Sequence, residues 1–199
     1  MSDQSLWLLA APWLAGGLAG SALTLISQWI IRCWQRPRLK ILFRDDEDGC
    51  RINTNVVGET EPTQSYVRLK VQNYGRSTAL GVSVCATELS FKAPGAGRHT
   101  FKEEVLDLML ASQIKPVLYF RLAPGAHRYV DVAYTIRKDC SHRYVFSVEP
   151  ARLREQGFGT KCGIYGAKLF VSAENSKAIE KHVTWSWDGK FPGLKIIGN

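Results

Sequence analysis

Hydrophobic and polar positions divide this 199-residue chain into two unlike parts. Positions 6–31 hold 26 consecutive residues without a single Asp, Glu, Lys, Arg or His. As a helix rising ~1.5 Å per residue, that run is roughly 39 Å long and exceeds the ~30 Å hydrocarbon core of a bilayer. It predicts an N-terminal transmembrane α-helix, with tilt or partial exit absorbing the excess. Trp7 and Trp13 near one end, and Trp29 and Trp34 near the other, suit indoles anchored at two headgroup levels. Pro12 falls in the first turns, where a missing amide N–H costs least. A cleaved secretory signal needs a basic leader and a shorter apolar core, whereas the opening Met-Ser-Asp-Gln-Ser carries no Lys or Arg.

From Leu39 onward the period changes to two, in short runs broken by Gly, Pro, Asn and Asp. Strands are expected at 39–44, 52–57, 66–72, 81–91, 117–122, 128–136, 143–148, 164–173 and 181–187. Short strands without intervening helices exclude a parallel βαβ sheet and predict an all-β antiparallel sandwich or barrel. One stretch interrupts them. Within 100–114, Phe101, Val105, Leu108, Met109 and Ser112 fall near one helical face, and Thr100 with Glu103 has the form of a capping box. A short helix crossing between sheets is expected there, a strand at 105–110 being the alternative. The resulting organisation is a tail at 1–5, the membrane helix at 6–31, a basic linker at 32–38 and a β-sandwich at 39–199.

The run Tyr66-Val-Arg-Leu-Lys-Val-Gln-Asn-Tyr-Gly-Arg-Ser-Thr-Ala-Leu-Gly-Val-Ser-Val-Cys85 resembles bacterial immunoglobulin-like domains of the cell-adhesion-related type. It joins a strand ending in Asn-x-Gly to a small-residue turn and a second alternating strand. Asn73 can bond its own turn backbone, and Gly75 can supply a positive φ. A second echo is Leu122-Ala-Pro-Gly-Ala-His-Arg-Tyr-Val-Asp131, where a Pro-Gly turn leads into a strand. The resemblance implies an immunoglobulin-like fold and a binding or spacer role. Members of that family mostly lie outside the cytoplasm.

Charge gives the membrane helix a direction. Only Asp3 precedes it, whereas Arg32, Arg36, Arg38, Lys40 and Arg44 follow and supply more than half of the net charge of +8. Lys and Arg are retained on the cytoplasmic side, so the N-terminus is expected outside a bacterial inner membrane and the C-terminal domain in the cytoplasm. The five basic residues are expected to contact anionic lipid, each gaining on the order of 1 kcal/mol near the surface. Cys33, Cys50, Cys85, Cys140 and Cys162 are odd in number and without paired spacing, which suits a reducing compartment. Within the span, Gly16, Gly20 and Thr24 recur every four residues with Ser21 beside them, a small-residue face on which two helices could self-associate.

Motifs of chemistry are sparse. There is no Gly-x-Ser-x-Gly and no Cys-x-x-Cys, and His99, His127, His142 and His182 are isolated. The acidic run Asp45-Asp46-Glu47-Asp48-Gly49 offers oxygen ligands but lacks the later Glu of an EF-hand loop, so a solvated turn is expected. Ala93-Pro-Gly-Ala-Gly-Arg-His-Thr100 lacks the ending of a phosphate-binding loop and reads as a flexible loop. The loose cations Arg152, Arg154 and Lys161 lack the interleaved aromatics that base stacking needs. No catalytic residue, metal, cofactor or nucleic acid is expected. Trp185 and Trp187 share one strand face, either sealing the core or forming a partner patch on an edge. These readings combine into a single-pass membrane-anchored binding or scaffold protein with lipid and a protein partner. The alternatives are an oligomerising membrane effector whose sandwich senses a ligand, and a periplasmic envelope or adhesion domain.

Overall fold

A computed structural model describes residues 23–31, 34–55, 60–108, 110, 119–138, 141–144 and 161–197. The chain divides into two compact units, Met1–Arg36 and Pro37–Asn199. In the first, helix α1 occupies 23–31, and residues 34–35 are also helical. Every side chain of α1 is exposed, Leu23, Ile26 and Trp29 by 69%, 54% and 66%. Most of the expected span lies outside the described residues. Among those described, no helix is long and apolar enough to cross a membrane.

The second unit is built from antiparallel strands: β1 Leu39–Leu42, β2 Arg51–Thr54, β3 Gln64–Asn73, β4 Ala79–Lys92, β5 Arg98–Asp107, β6 Phe120–Leu122, β7 His127–Ile136, β8 Ser141–Tyr144, β9 Gly163–Ala173, β10 Ser176–Trp187 and β11 Leu194–Ile197. Among the described residues they form two sheets. One runs β1-β3-β7-β8, with β2 also on β3; the other runs β11-β10-β9-β4-β5, with β6 also on β4. Both sheets repeat one device at an edge. The strands β1 and β2 pair with successive parts of β3, at Asn73 to Lys70 and then Val67 to Gln64, so they form one edge interrupted by the loop at 43–50. Likewise β6 and β5 follow one another along β4.

Alternation decides which face of each strand is buried. Val67, Leu69 and Val71 of β3 meet Tyr165, Leu169 and Val171 of β9 in a single hydrophobic cluster, as expected for a sandwich. In β4 the inward set is Val82, Val84 and Ala86, then Leu89 and Phe91. That change of phase would break a regular strand. A bulge between Ala86 and Glu88 absorbs the extra residue and leaves Glu88 and Ser90 facing outward. One aromatic row crosses the second sheet. Trp185 is in register with Tyr165, and Tyr165 with Phe91. Their rings lie 6.1 and 4.9 Å apart, and Phe43, just after β1, abuts Trp185 edge-on at 6.4 Å. Such contacts add about 0.5–1.5 kcal/mol each beyond burial, here between side chains of both sheets.

Asn73 explains why the turn after β3 is built as it is. Its side chain is fully buried, donates to the Ser77 and Leu122 carbonyls, and accepts from the amides of Arg38 and Gly75. One amide group thereby ties the start of β1, the turn after β3 and the end of β6. The positive φ values near this turn belong to Gly81 and Gly125, at 58° and 75°, and not to Gly75 as expected. Gly125 follows Pro124 in a turn closed by the Ala126 amide on the Ala123 carbonyl. This pairing of Pro with a left-handed Gly defines a type II turn.

Where a helix is expected at 100–114, residues 100–107 belong instead to β5, which pairs along β4 from Lys92↔Arg98 to Cys85↔Asp107, and 109 and 111–114 lie outside the described residues. Its turn has the same Pro-Gly chemistry, with Gly95 at φ 73° and the Ala96 amide on the Ala93 carbonyl, so 93–97 is a hairpin turn and not a loose loop. The unpaired edge of β4 supplies backbone partners along most of this segment, which overrides weak helical spacing. The alternative strand at 105–110 locates only its tail. Beyond β5, the Leu108 amide donates to the Val84 carbonyl and Leu110 bridges Val130, stitching the two sheets. The strand β11 was absent from the expected set.

Candidate functional site

Of the five cations expected at the membrane surface, Arg32 lies outside the described residues; Arg36, Arg38, Lys40 and Arg44 are all exposed. Within the β unit, Arg38, Lys40 and Arg44 lie around β1, at the free edge of the first sheet. The arrangement is local in origin. Alternation turns Leu39 and Ile41 inward, which leaves Lys40 pointing outward, and Phe43 is buried, which leaves Arg44 at the surface.

Tertiary structure brings a further cation to this corner. Lys181 lies on β10, at the same parity as the buried Val183, Trp185 and Trp187, and so faces inward at half burial. Among the described residues, β11 pairs with β10 only from Thr184 to Trp187, and the stretch of β10 holding Lys181 lies near β1. Its ammonium donates to the Ile41 carbonyl at 3.4 Å. Burial, followed by the nearby charges of Arg44 and Lys40, holds its pKa below the ordinary lysine value. Sequence reading missed Lys181, although a cation in phase with Val183, Trp185 and Trp187 was its visible signal.

The acidic loop belongs to the same neighbourhood and is ordered by separate partners. Asp45 pairs with Arg51 at 3.3 Å and accepts from the Ile196 amide, while Glu47 pairs with Lys70 at 2.6 Å. The hydrogen bond from Lys70 holds the Glu47 carboxyl below its ordinary range and raises the Lys70 ammonium. Tyr129 donates to the Asp48 carbonyl at 2.7 Å. Its ring fills the space a side chain on Gly49 would need, and Gly49 also holds φ at 76°. Among the described residues, no group of three His, Cys, Asp or Glu side chains could hold a metal.

Outward positions of the first sheet carry a second charged group of different character. Arg68 and Asp131 are register partners, 2.7 Å apart, with side chains only 9% and 8% exposed. Tyr66 stacks on Tyr134 at 5.4 Å, and the Arg68 guanidinium lies 5.1 Å from the Tyr66 ring centre. Burial raises the Asp131 carboxyl above its usual range, and Arg68 offsets only part of that rise.

The partner patch expected from Trp185 and Trp187 is not at the surface. They are 0% and 4% exposed, because the face they share is the inward face of β10. The Trp187 indole donates to the Lys190 carbonyl at 3.1 Å. Of the helix self-association set, Gly16, Gly20 and Ser21 lie outside the described residues, and Thr24 is exposed on α1. His127 and Tyr129 meet edge-on, while His182 lies 3.6 Å from Glu180. Cys50 is fully buried, and burial raises its thiol pKa, so it is a poor nucleophile. Comparison of the chain with protein-family models and with curated proteins gives no match.

Proposed function

We propose that the chain is a single-pass membrane protein that holds an immunoglobulin-like binding or scaffolding module at the cytoplasmic face of a bacterial inner membrane. The observation that carries this reading is α1. Leu23, Leu25, Ile26, Trp29, Ile30 and Ile31 are all exposed, from 49% to 69%, so these apolar side chains present their surfaces outward. Six large apolar side chains exposed on a nine-residue helix favour a lipid or protein environment, and the uncharged run 6–31 to which it belongs has the length that lipid requires. The exposed cations Arg36, Arg38, Lys40 and Arg44 favour the orientation with the β unit in the cytoplasm. Two antiparallel sheets with a common core support the module as a rigid platform for a protein partner. The immunoglobulin-like identity rests on the strand-turn-strand element around Asn73.

Membrane topology tests the proposal. Reporters active on only one side of the membrane are fused after Asn199, and the membranes are washed at alkaline pH. Retention of the chain with cytoplasmic reporter activity is expected. Release by the wash overturns the anchor, and a periplasmic signal overturns the orientation and favours the envelope role.

A further inference from the structure

Five cations of the β unit are matched with acids: Arg51 with Asp45, Arg68 with Asp131, Lys70 with Glu47, Arg137 with Glu61 and Lys168 with Glu180. The corner between β10 and β1 differs in bringing a half-buried cation, Lys181, onto the β1 backbone beside two others. Among the described residues, neither Lys40 nor Arg44 nor Lys181 has a carboxylate within ion-pair distance. Glu47 feels the fields of Arg44 and Lys40, but its carboxylate accepts its hydrogen bond from Lys70. Lys181 feels those two cations while half buried and tied to the Ile41 carbonyl. Crowded like charges of this kind are relieved by an external anion, and less completely by water.

We propose that Lys40, Arg44 and Lys181 form a contact for the phosphate of an anionic lipid headgroup, which lays the β1 edge of the unit on the membrane surface. The inference rests on the membrane-anchored reading given above. It adds Lys181, a residue 137 positions beyond Arg44 in the chain, to the juxtamembrane contact. Chain connectivity favours lipid over a soluble phosphate. Strand β1 begins at Leu39, three residues after the last residue of the unit containing α1, so an anchored α1 keeps the corner within a few residues of the bilayer. Contact by three ammonium and guanidinium groups would fix the roll of the β unit, which a flexible tether alone would leave free. Lys181 also donates to the Ile41 carbonyl, so the contact is built on β1, the edge strand of the first sheet.

Lysine acylation in bilayer nanodiscs tests the proposal. The full chain is placed in discs of phosphatidylcholine alone, or of phosphatidylcholine and phosphatidylglycerol at three to one. A water-soluble amine reagent is added, and modification is read site by site by mass spectrometry. Labelling of Lys40 and Lys181 is expected to slow by about fivefold in the anionic discs, the change worth ~1 kcal/mol per cation near such a surface. Lys177 and Lys195 serve as exposed internal references. In Lys181→Gln, protection of Lys40 is expected to weaken. Equal labelling of Lys40 and Lys181 in the two discs overturns the lipid contact, as does equal protection by inorganic phosphate in lipid-free detergent. Unchanged Lys40 protection in Lys181→Gln removes Lys181 from the contact. Retention on phosphatidylcholine vesicles after an alkaline wash separates the two failures: a chain that washes off defeats the anchor, whereas one that stays but labels equally defeats only this inference.

Discussion

Arg68 and Lys181 are cations on strands of the same fold, and the fold treats them in opposite ways. Arg68 meets Asp131 directly across the sheet at 2.7 Å and is closed off from solvent. Lys181 points inward beside β1, has a carbonyl for a partner and is crowded by two further cations. The contrast shows that burial alone does not tell a structural charge from one available to a ligand. The useful distinction is whether the counter-charge is already inside the chain. An internally matched pair fixes register, because Arg68 and Asp131 flank the bulge at which β3 and β7 change alignment.

The sharpest way to break the comparison is to remove one half of the matched pair. Asp131→Ala leaves a buried guanidinium without its counter-charge and is expected to lower stability by about 3–5 kcal/mol, read by chemical denaturation of the full chain in detergent. An effect below ~1 kcal/mol would mean that solvent reaches Arg68 readily. The double change Arg68→Met with Asp131→Leu is expected to return stability to within about 1 kcal/mol of the parent, or above it, because desolvating two charges offsets their attraction.

A smaller effect is expected from pH. Asp131 is held above its ordinary value, so the folded chain binds this proton more tightly than the unfolded chain. Its contribution is fully present below the ordinary carboxylate range and is lost as pH rises through the raised value. The denaturation midpoint should lose this decline in Asp131→Asn, and a persistent slope would assign it to another group. Lys181 has the opposite sign. With its folded pKa lowered, the unfolded chain holds the proton more tightly, so stability rises as pH climbs from the depressed value toward the ordinary 10.5. Lys181→Gln in detergent is therefore expected to raise stability at neutral pH by less than about 0.5 kcal/mol. A clear loss would show that the bond to the Ile41 carbonyl outweighs the crowding.

Two Pro-Gly turns show how far the sequence could be read. Pro124-Gly125 was legible because an alternating strand follows it, and β7 begins two residues after the Gly. Pro94-Gly95 closes a turn of the same kind, yet the residues after it carry no regular alternation, so their spacing alone predicts a helix where β5 lies. Its conformation depends on the free edge of β4, which is invisible in the local pattern. β11 escaped notice for a related reason. Leu-Lys-Ile-Ile is too short to show a period, and it is ordered by pairing with Thr184 to Trp187.

By itself the sequence determined what depends on neighbours in the chain. Alternation located the strands flanking the core, the charge step marked 32–44 as basic, and the uncharged run at 6–31 set that segment apart. Tertiary structure alone decided what depends on partners far along the chain. Whether Trp185 and Trp187 seal a core or face outward turns on the sheet packed against β10, and both are buried. Placing Lys181 beside Lys40 and Arg44 likewise requires β10 to meet β1 across the fold. Periodicity reports which residues share a face; only packing determines what that face meets.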